Sequence, residues 1–380
     1  MTARPANSFN AEEILAGILE WVRVESPTHH VGGVNRMMDL ASAAMAKLGA
    51  KIVRAPGAPG YGDVVTARLP WGRDDEPGIL VLGHLDTVHP IGTIDGPLPI
   101  RRTNDQVWGP GIFDMKGGMY LAVHALTQIV RVQGRTPLPV TFMFIPDEEV
   151  GSPSTRAQIE AEARRHRYVL VPEPSQGGNL VTGRHAFLRY KLHMYGKPAH
   201  AGVDNRQGRS AIRAMARLIE RIEAMSDLDR GMTYSVGIIQ GGTFVNVVPI
   251  ECHAELLAVA PTVEDFAMIQ RTMAALAPDD PEVRLAVEPG PIRPLFTAHD
   301  GTLALYETAR RVALANGFAV GHGQRGGGSD GNFTGALGIA TLDGLGVCGA
   351  GLHTHNEHLL VSSLEPRARL LAGLFETLGN

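Results

Sequence analysis

The sequence has little of what marks several special classes of protein. Only two cysteines occur among its 380 residues, Cys252 and Cys348, too few for a disulfide framework or a cysteine zinc site. No apolar run reaches the roughly 18 residues that cross a membrane, and the N-terminus contains no apolar signal-peptide core. Positive and negative side chains nearly balance, 35 Lys and Arg against 39 Asp and Glu, without a basic stripe for nucleic acid. These absences predict a cytoplasmic protein without membrane or nucleic-acid partners.

Apolar side chains are plentiful enough for a sizeable core, since hydrophobic residues make up 44% of the chain and charged residues 19%. At about 150 residues per domain, the length predicts two or three domains. In the first half, short apolar runs such as residues 79–82 and 140–145 alternate with helical stretches such as residues 118–132. This alternation predicts an α/β domain with a mixed, largely parallel sheet flanked by helices.

The middle of the chain has a different pattern. Residues 187–195 alternate apolar and polar side chains like a strand with one exposed face. The six elements that begin there follow the order β-α-β-β-α-β, which is typical of a ferredoxin-like α+β sandwich. Because the first pattern then returns, we predict an inserted domain at 184–293 and one other domain built from residues 1–183 and 294–380.

Five segments with potential ligand side chains lie where predicted strands end, the place where open α/β sheets bind their ligands. In the first, GHLDTV at 83–88, an extended backbone places Asp86 beside His84. A zinc-binding imidazole needs a partner for its other ring nitrogen, and Asp86 could be that partner. The alternative is a histidine without a metal, at the end of a strand, that forms a hydrogen bond with an aspartate in the turn. In the second, Asp114 stands between glycines before a helix, where a ligand approached by the backbone and an ordinary helix N-cap both fit.

The third segment has three consecutive acids, residues 147–149, directly after the most apolar strand pattern of the chain. Such acids repel one another unless cations lie between them, and a solvated charge run is the alternative. Glu173 and His353 lie in the fourth and fifth segments, PEPS at 172–175 and GLHTHNE at 351–357.

The side chains of these segments fit a pair of metal ions. The carboxylates of Asp114, Glu149 and Glu173 together with one hydroxide would balance the charge of two dications. Mixed histidine and carboxylate ligation suits zinc, with cobalt or manganese as alternatives. Paired metals about 3.5–4 Å apart can share a carboxylate and activate one water. Glu148 is the acid left over, and a carboxylate beside that water is a natural general base.

Eight motifs then resemble those of the dinuclear zinc aminoacylase/carboxypeptidase family, which includes glutamate carboxypeptidase, acetylornithine deacetylase and succinyl-diaminopimelate desuccinylase. They occur in family order over essentially the whole chain: GHLDTV (83–88), GIFDMKGG (111–118), PDEEVGS (146–152), PEPS (172–175), GKPAHAG (196–202), NVVP (246–249), GGGSDG (326–331) and HTHNE (353–357). The set is most similar to the glutamate carboxypeptidase branch.

The resemblance implies two zinc sites that share one ligand. Its ligand set is His84 and Glu173 for one metal, Glu149 and His353 for the other, and Asp114 as the bridge. The family pattern is a histidine with an acid about four residues later, which selects His353, followed by Glu357, over His355.

The resemblance also implies catalytic roles. Asp86 would orient the first histidine, and Glu148 would take a proton from the bridging water and deliver it to the leaving nitrogen. His200, in the inserted domain, would help to hold the oxyanion, often across a dimer, with help from Asn246. The peptide bond after Asp114 would be cis.

Two further features would recognise a substrate carboxylate. Arg293 offers a guanidinium fork, although a solvated surface arginine is the alternative. The loop at 326–330, with Gly328 and Ser329, precedes a helical stretch whose N–H groups could bind the same carboxylate. A phosphate loop is rejected because no Gly-Lys-Ser/Thr sequence follows.

We therefore predict a metallopeptidase that hydrolyses an amide bond adjacent to a free C-terminal carboxylate. Its substrate would be a small peptide or N-acyl amino acid, and the inserted domain would act as a lid and join a homodimer. The alternative within the family is an N-acyl amino acid deacylase, which uses the same chemistry with a different acyl pocket. A dinuclear phosphoesterase is disfavoured because the sequence contains no Asn-His-Asp/Glu metal motif. A binding protein without catalysis is disfavoured because every metal position and the base are present.

Overall fold

The structure is a computed structural model that describes residues 9–73 and 75–379. In this part of the chain the α-helices are α1 (Ala11–Val22), α2 (Val31–Ala46), α3 (Lys116–Gln133), α4 (Arg156–Ala163), α5 (Ala211–Glu223), α6 (Val263–Ala274), α7 (Asp300–Ala315), α8 (Gly331–Ala336) and α9 (Leu364–Thr377). The strands are β1 (Lys51–Ala55), β2 (Val64–Arg68), β3 (Gly78–His84), β4 (Arg101–Thr103), β5 (Gln106–Trp108), β6 (Val140–Ile145), β7 (His166–Leu170), β8 (Leu180–Arg184), β9 (Ala186–Tyr195), β10 (Thr233–Gly241), β11 (Glu251–Ala260), β12 (Arg284–Arg293), β13 (His322–Arg325), β14 (Ala340–Leu342), β15 (Gly349–Ala350) and β16 (His358–Leu360). Among these helices, none combines the length and the apolar character needed to span a membrane.

The chain divides into two compact units. Of the residues that the structure describes, the first unit contains those up to 183 together with residues 296–324 and those from 329 onward. The second unit contains residues 184–295, and a short segment at 325–328 joins it from much later in the chain.

The first unit is built on a sheet with the strand order β1-β2-β6-β3-β7-β14. The four strands from β6 to β14 pair in parallel, whereas β1 and β2 are antiparallel at one edge. Alternate residues of β3 enter two apolar clusters: Ile79 and Val81 pack with residues of α1, α3 and α9, while Leu80 and Leu82 pack with residues of α4 and α8. Burial on both faces explains the continuous apolar runs, and the predicted α/β class is confirmed.

A smaller sheet of the first unit, which the sequence analysis did not predict, has the order β15-β16-β5-β4. Its strands have only two or three residues each, too few to show a periodic pattern in the sequence. His358 of β16 pairs with Trp108 of β5. This pairing holds the segment before β16 against the segment after β5.

The second unit follows the order β-α-β-β-α-β from β9 to β12. Its strands form an antiparallel sheet in the order β10-β11-β9-β12. Side chains of β9 alternate between buried and more exposed, because Leu188 and Leu192 pack against Leu218 of α5 and Ile269 of α6. The last strand, β12, continues along β9 beyond a change of register between Pro289 and Ile292.

Candidate metal centre

Three of the candidate ligands follow adjacent parallel strands of the first unit. His84 is the last residue of β3, Glu149 lies in the short 3-10 turn Glu148–Val150 after β6, and Glu173 follows β7. In the sheet, β3 lies between β6 and β7. Because neighbouring parallel strands end at the same edge, the sheet topology brings these three side chains together.

Asp114 and His353 reach the same edge from two loops. Asp114 lies just before α3 and is joined to Met115 by a cis peptide bond, as predicted. His353 has a left-handed backbone with φ 59° and lies in the loop that leads to β16. The pairing of β16 with β5 holds this loop beside the Asp114 loop.

The Asp114 carboxylate lies between two imidazoles. Its Oδ1 is 3.2 Å from His84 Nε2, and its Oδ2 is 3.2 Å from His353 Nε2. Each imidazole also faces one further carboxylate, since Glu173 Oε1 is 3.7 Å from His84 Nε2 and Glu149 Oε2 is 3.1 Å from His353 Nε2. The structure thus brings all five predicted ligands together, with Asp114 in the middle.

The donor set of this cluster fits a cation. Burial and the Asp114 charge raise the pKa of Glu149 to about 8. Hydrogen bonds with Asp114 and Glu149 raise the pKa of His353 to about 11. Burial disfavours the charged form of Asp114, but its hydrogen bonds with His353 and His84 hold its pKa below the usual range. The carboxylates therefore need positive charge among them, and nitrogen and oxygen donors of this kind are zinc ligands.

Asp86 connects the end of β3 to the turn after β6. His84 Nδ1 is 2.9 Å from the backbone oxygen of Asp86 and 3.4 Å from its carboxylate. The buried carboxylate accepts hydrogen bonds from the backbone N–H groups of Glu148 (3.2 Å) and Glu149 (3.3 Å) and from the Thr28 hydroxyl (2.7 Å). Asp86 thus positions the two glutamates as well as the histidine. The sequence analysis predicted its contact with His84 but missed its contacts with the two glutamates and with Thr28.

Glu148 also faces the cluster. Its Oε2 lies 4.0 Å from His84 Nε2, farther than the corresponding oxygens of Asp114 and Glu173, and its side chain is 11% exposed. This places a carboxylate at the rim of the ligand cluster, where it can exchange a proton with a bound molecule.

Two buried charged residues behind the Asp114 loop were not assigned a role from the sequence. Glu357, used there only to identify His353, accepts hydrogen bonds from backbone N–H groups of that loop. Lys116 donates from Nζ to the backbone oxygen of Val24 at 2.6 Å, and burial lowers its pKa to about 7. Both residues lie within motifs quoted in the sequence analysis, and this was the only feature of the sequence that could have indicated a role for them.

Four of the other predicted site residues belong to the second unit. His200 and Asn246 are exposed and lie on adjacent backbone segments, where the Ala201 N–H donates to the backbone carbonyl oxygen of Asn246 at 2.9 Å. Arg293, at the end of β12, is 3% exposed. A Cβ on Gly328 would lie 2.8 Å from Arg293 Cδ, so a larger residue there would require the arginine side chain to shift.

Ser329 belongs to the first unit and is fully buried. Its hydroxyl donates to Asp343 Oδ2 at 2.5 Å and accepts from the Gly331 N–H, while its own N–H donates to Asn332 Oδ1. These hydrogen bonds of Ser329 stabilise the start of α8, and its predicted contact with a substrate carboxylate stays a prediction.

Comparisons with known proteins identify the family of the chain. A family model described as peptidase family M20/M25/M40 matches residues 80–377. Carboxypeptidase G2 of Pseudomonas sp. (strain RS-16) is 28% identical over 367 residues, which are 94% of this chain and 87% of that protein. Two solved structures share the fold: a tripeptidase from Staphylococcus aureus (TM-score 0.78, 21% identity, 98% of this chain and 100% of that one) and an M20 family metallo-carboxypeptidase from Sulfolobus solfataricus (TM-score 0.73, 16% identity, 96% and 98%).

Proposed function

Because the chain belongs to peptidase family M20/M25/M40, we propose that it is a glutamate carboxypeptidase-like metallopeptidase. It would hydrolyse an amide bond adjacent to a free C-terminal carboxylate in a small peptide or N-acyl amino acid. Support for the substrate class comes from the likeness to carboxypeptidase G2 over nearly the whole chain. A cytoplasmic location stays a prediction from the low cysteine content.

One observation carries the proposal, namely the Asp114 carboxylate with an imidazole 3.2 Å from each of its oxygens. We assign one zinc ion to His84 and Glu173, a second to Glu149 and His353, and Asp114 to both. Three carboxylates leave one negative charge to be supplied by hydroxide when two dications bind. Cobalt or manganese would satisfy the same donors.

The reaction then depends on the acid at the rim. Two bound dications would polarise the scissile carbonyl and lower the pKa of a water molecule. Glu148 takes the proton of that water as it attacks the carbonyl carbon, and then delivers the proton to the leaving nitrogen. Asp86 accepts hydrogen bonds from the backbone N–H groups of Glu148 and Glu149, and it keeps both glutamates in place during this transfer.

Residues of the second unit would bind the rest of the substrate. We assign His200 and Asn246 to the oxyanion of the tetrahedral intermediate, since both are exposed and carry hydrogen-bond donors. Arg293 would bind the terminal carboxylate through its planar fork, with the backbone of Gly328 beside it.

We also propose a homodimer that forms through the second unit. Its strand β10 lies at one edge of the sheet, and Ile238 and Ile239 of that strand are about half exposed, at 49% and 51%. An exposed apolar edge strand pairs readily with another strand, and a second copy would supply an identical one.

A substrate panel tests the proposed activity. Zinc-loaded protein is incubated with folyl and peptidyl glutamates, with the same compounds as C-terminal amides, and with N-acetyl and N-succinyl amino acids, and the released amine is quantified. The free acids should be cleaved about 100-fold or more faster than the amides, because a neutral amide cannot form the bidentate, charge-assisted contact with the Arg293 guanidinium. Cleavage of the N-acyl amino acids alone would favour the deacylase, and equal cleavage of acids and amides would contradict the proposed carboxylate recognition.

A further inference from the structure

We propose that Glu357 is a positioning residue for the shared ligand, and that it fixes the Asp114 carboxylate between the imidazoles of His84 and His353. We further propose that His89 holds Glu357 in place. The inference rests on the metal centre proposed above, and it concerns how the loop from Gly111 to Asp114 is held in place.

The first support is the geometry of the Glu357 carboxylate. Its Oε1 accepts hydrogen bonds from the backbone N–H groups of Phe113 (2.9 Å) and Asp114 (3.0 Å), and its Oε2 accepts one from Gly111 (3.1 Å). Three of four consecutive loop N–H groups therefore converge on one carboxylate. Such a concave set of N–H groups binds an anion, and here the anion belongs to a side chain 243 residues away from Asp114.

The second support is burial. Glu357 is 1% exposed, and its Oε2 lies 2.7 Å from Nε2 of His89, which is itself 4% exposed. A carboxylate removed from water is stable only when strong donors surround it. His89 and the three N–H groups supply four donors, which stabilise the loop in this arrangement.

The third support is the link to the second half of the centre. Glu357 ends the same short segment that begins with His353, and Asn356 of that segment accepts a hydrogen bond from Trp108 Nε1 at 3.1 Å. The segment thus presents one ligand directly and fixes the shared ligand through backbone contacts. Gly111 supports this approach, because its φ of 71° is a conformation that favours glycine.

The expected effect of Glu357→Gln follows from the donors. A glutamine has one acceptor and one amide donor, so either the Phe113 and Asp114 N–H groups or the Gly111 N–H and His89 would face an N–H instead of an oxygen. The loop would shift and the Asp114 carboxylate would leave its central position. Outer residues of this kind change metal affinity by about 10–100-fold, and both metal equivalents should weaken because Asp114 serves both.

The experiment titrates zinc into metal-free protein against a chromogenic chelator, and it needs no substrate. Glu357→Gln is compared with the wild type, with His89→Leu, which removes the donor, and with His89→Gln, which keeps an amide donor. Glu307→Gln is the matched control, since that glutamate is half exposed on α7 and pairs with Arg310. Urea unfolding of each metal-free variant separates loss of stability from loss of affinity.

We expect Glu357→Gln to weaken both zinc equivalents by at least tenfold in protein that is still folded. His89→Leu should weaken them less, and His89→Gln and Glu307→Gln should bind within about threefold of the wild type. Unchanged affinity in Glu357→Gln, or weakening of one equivalent alone, would overturn this inference while the centre stands. A wild-type protein that binds no zinc would overturn the centre and the inference together.

Discussion

Replacement of Glu148 by glutamine is the sharpest test of the catalytic assignment, because the neighbouring residue provides an internal control. Glu148 Oε2 is 4.0 Å from His84 Nε2, whereas Glu149 Oε2 is 3.1 Å from His353 Nε2. The first glutamate therefore stands at the rim and the second within the ligand cluster. Glu148→Gln keeps the volume and the backbone N–H bond to Asp86 but removes the proton acceptor.

General-base removal typically costs about 10²–10⁴-fold in rate, which corresponds to about 3–5 kcal/mol of transition-state stabilisation. We expect kcat to fall by this factor in Glu148→Gln while zinc content stays near two per chain. In Glu149→Gln, zinc content itself should fall. The assays are steady-state cleavage of a peptidyl glutamate and metal analysis of the dialysed protein. Wild-type turnover by Glu148→Gln, or loss of zinc from it, would refute the reasoning.

Two further predictions use other parts of the structure. His353→Ala should lose one zinc equivalent in metal analysis, whereas His355→Ala should keep both, and the reverse pattern would reassign the ligand. Burial alone would raise the pKa of Glu162, but His166 and Arg68 outweigh it and lower the pKa to about 2. The resulting stabilisation of the folded state is present above pH 4.5 and is lost as pH falls toward 2. Glu162→Gln should therefore lower the free energy of unfolding by about 1–2 kcal/mol at pH 7, after a discount for partial exposure, and by almost nothing near pH 2. Urea unfolding at both pH values checks this, and an equal cost at both would contradict it.

The sequence predicted the larger elements well where burial leaves a periodic trace. The apolar run at 140–145 has the same bounds as β6, because the side chains of a strand buried on both faces must be apolar. The predicted helix at 118–132 lies within α3. The family and the class of enzyme were likewise predicted from the motifs and are confirmed by the family match. Short strands such as β15 and β16, and the antiparallel strands β1 and β2, were missed because their sequences show too little periodicity.

The sequence by itself thus predicted the chemistry of the proposed centre, since the proposed ligands His84, Asp114 and Glu149 would act through atoms of their own side chains. Only the tertiary structure decided what holds them. Asp86 and Glu357 act on backbone N–H groups, and Ser329 faces inward onto Asp343. The physical reason is that every residue except proline has the same backbone N–H, so a carboxylate that binds one leaves no signature at the partner position. The folded chain alone determines which of these groups meet.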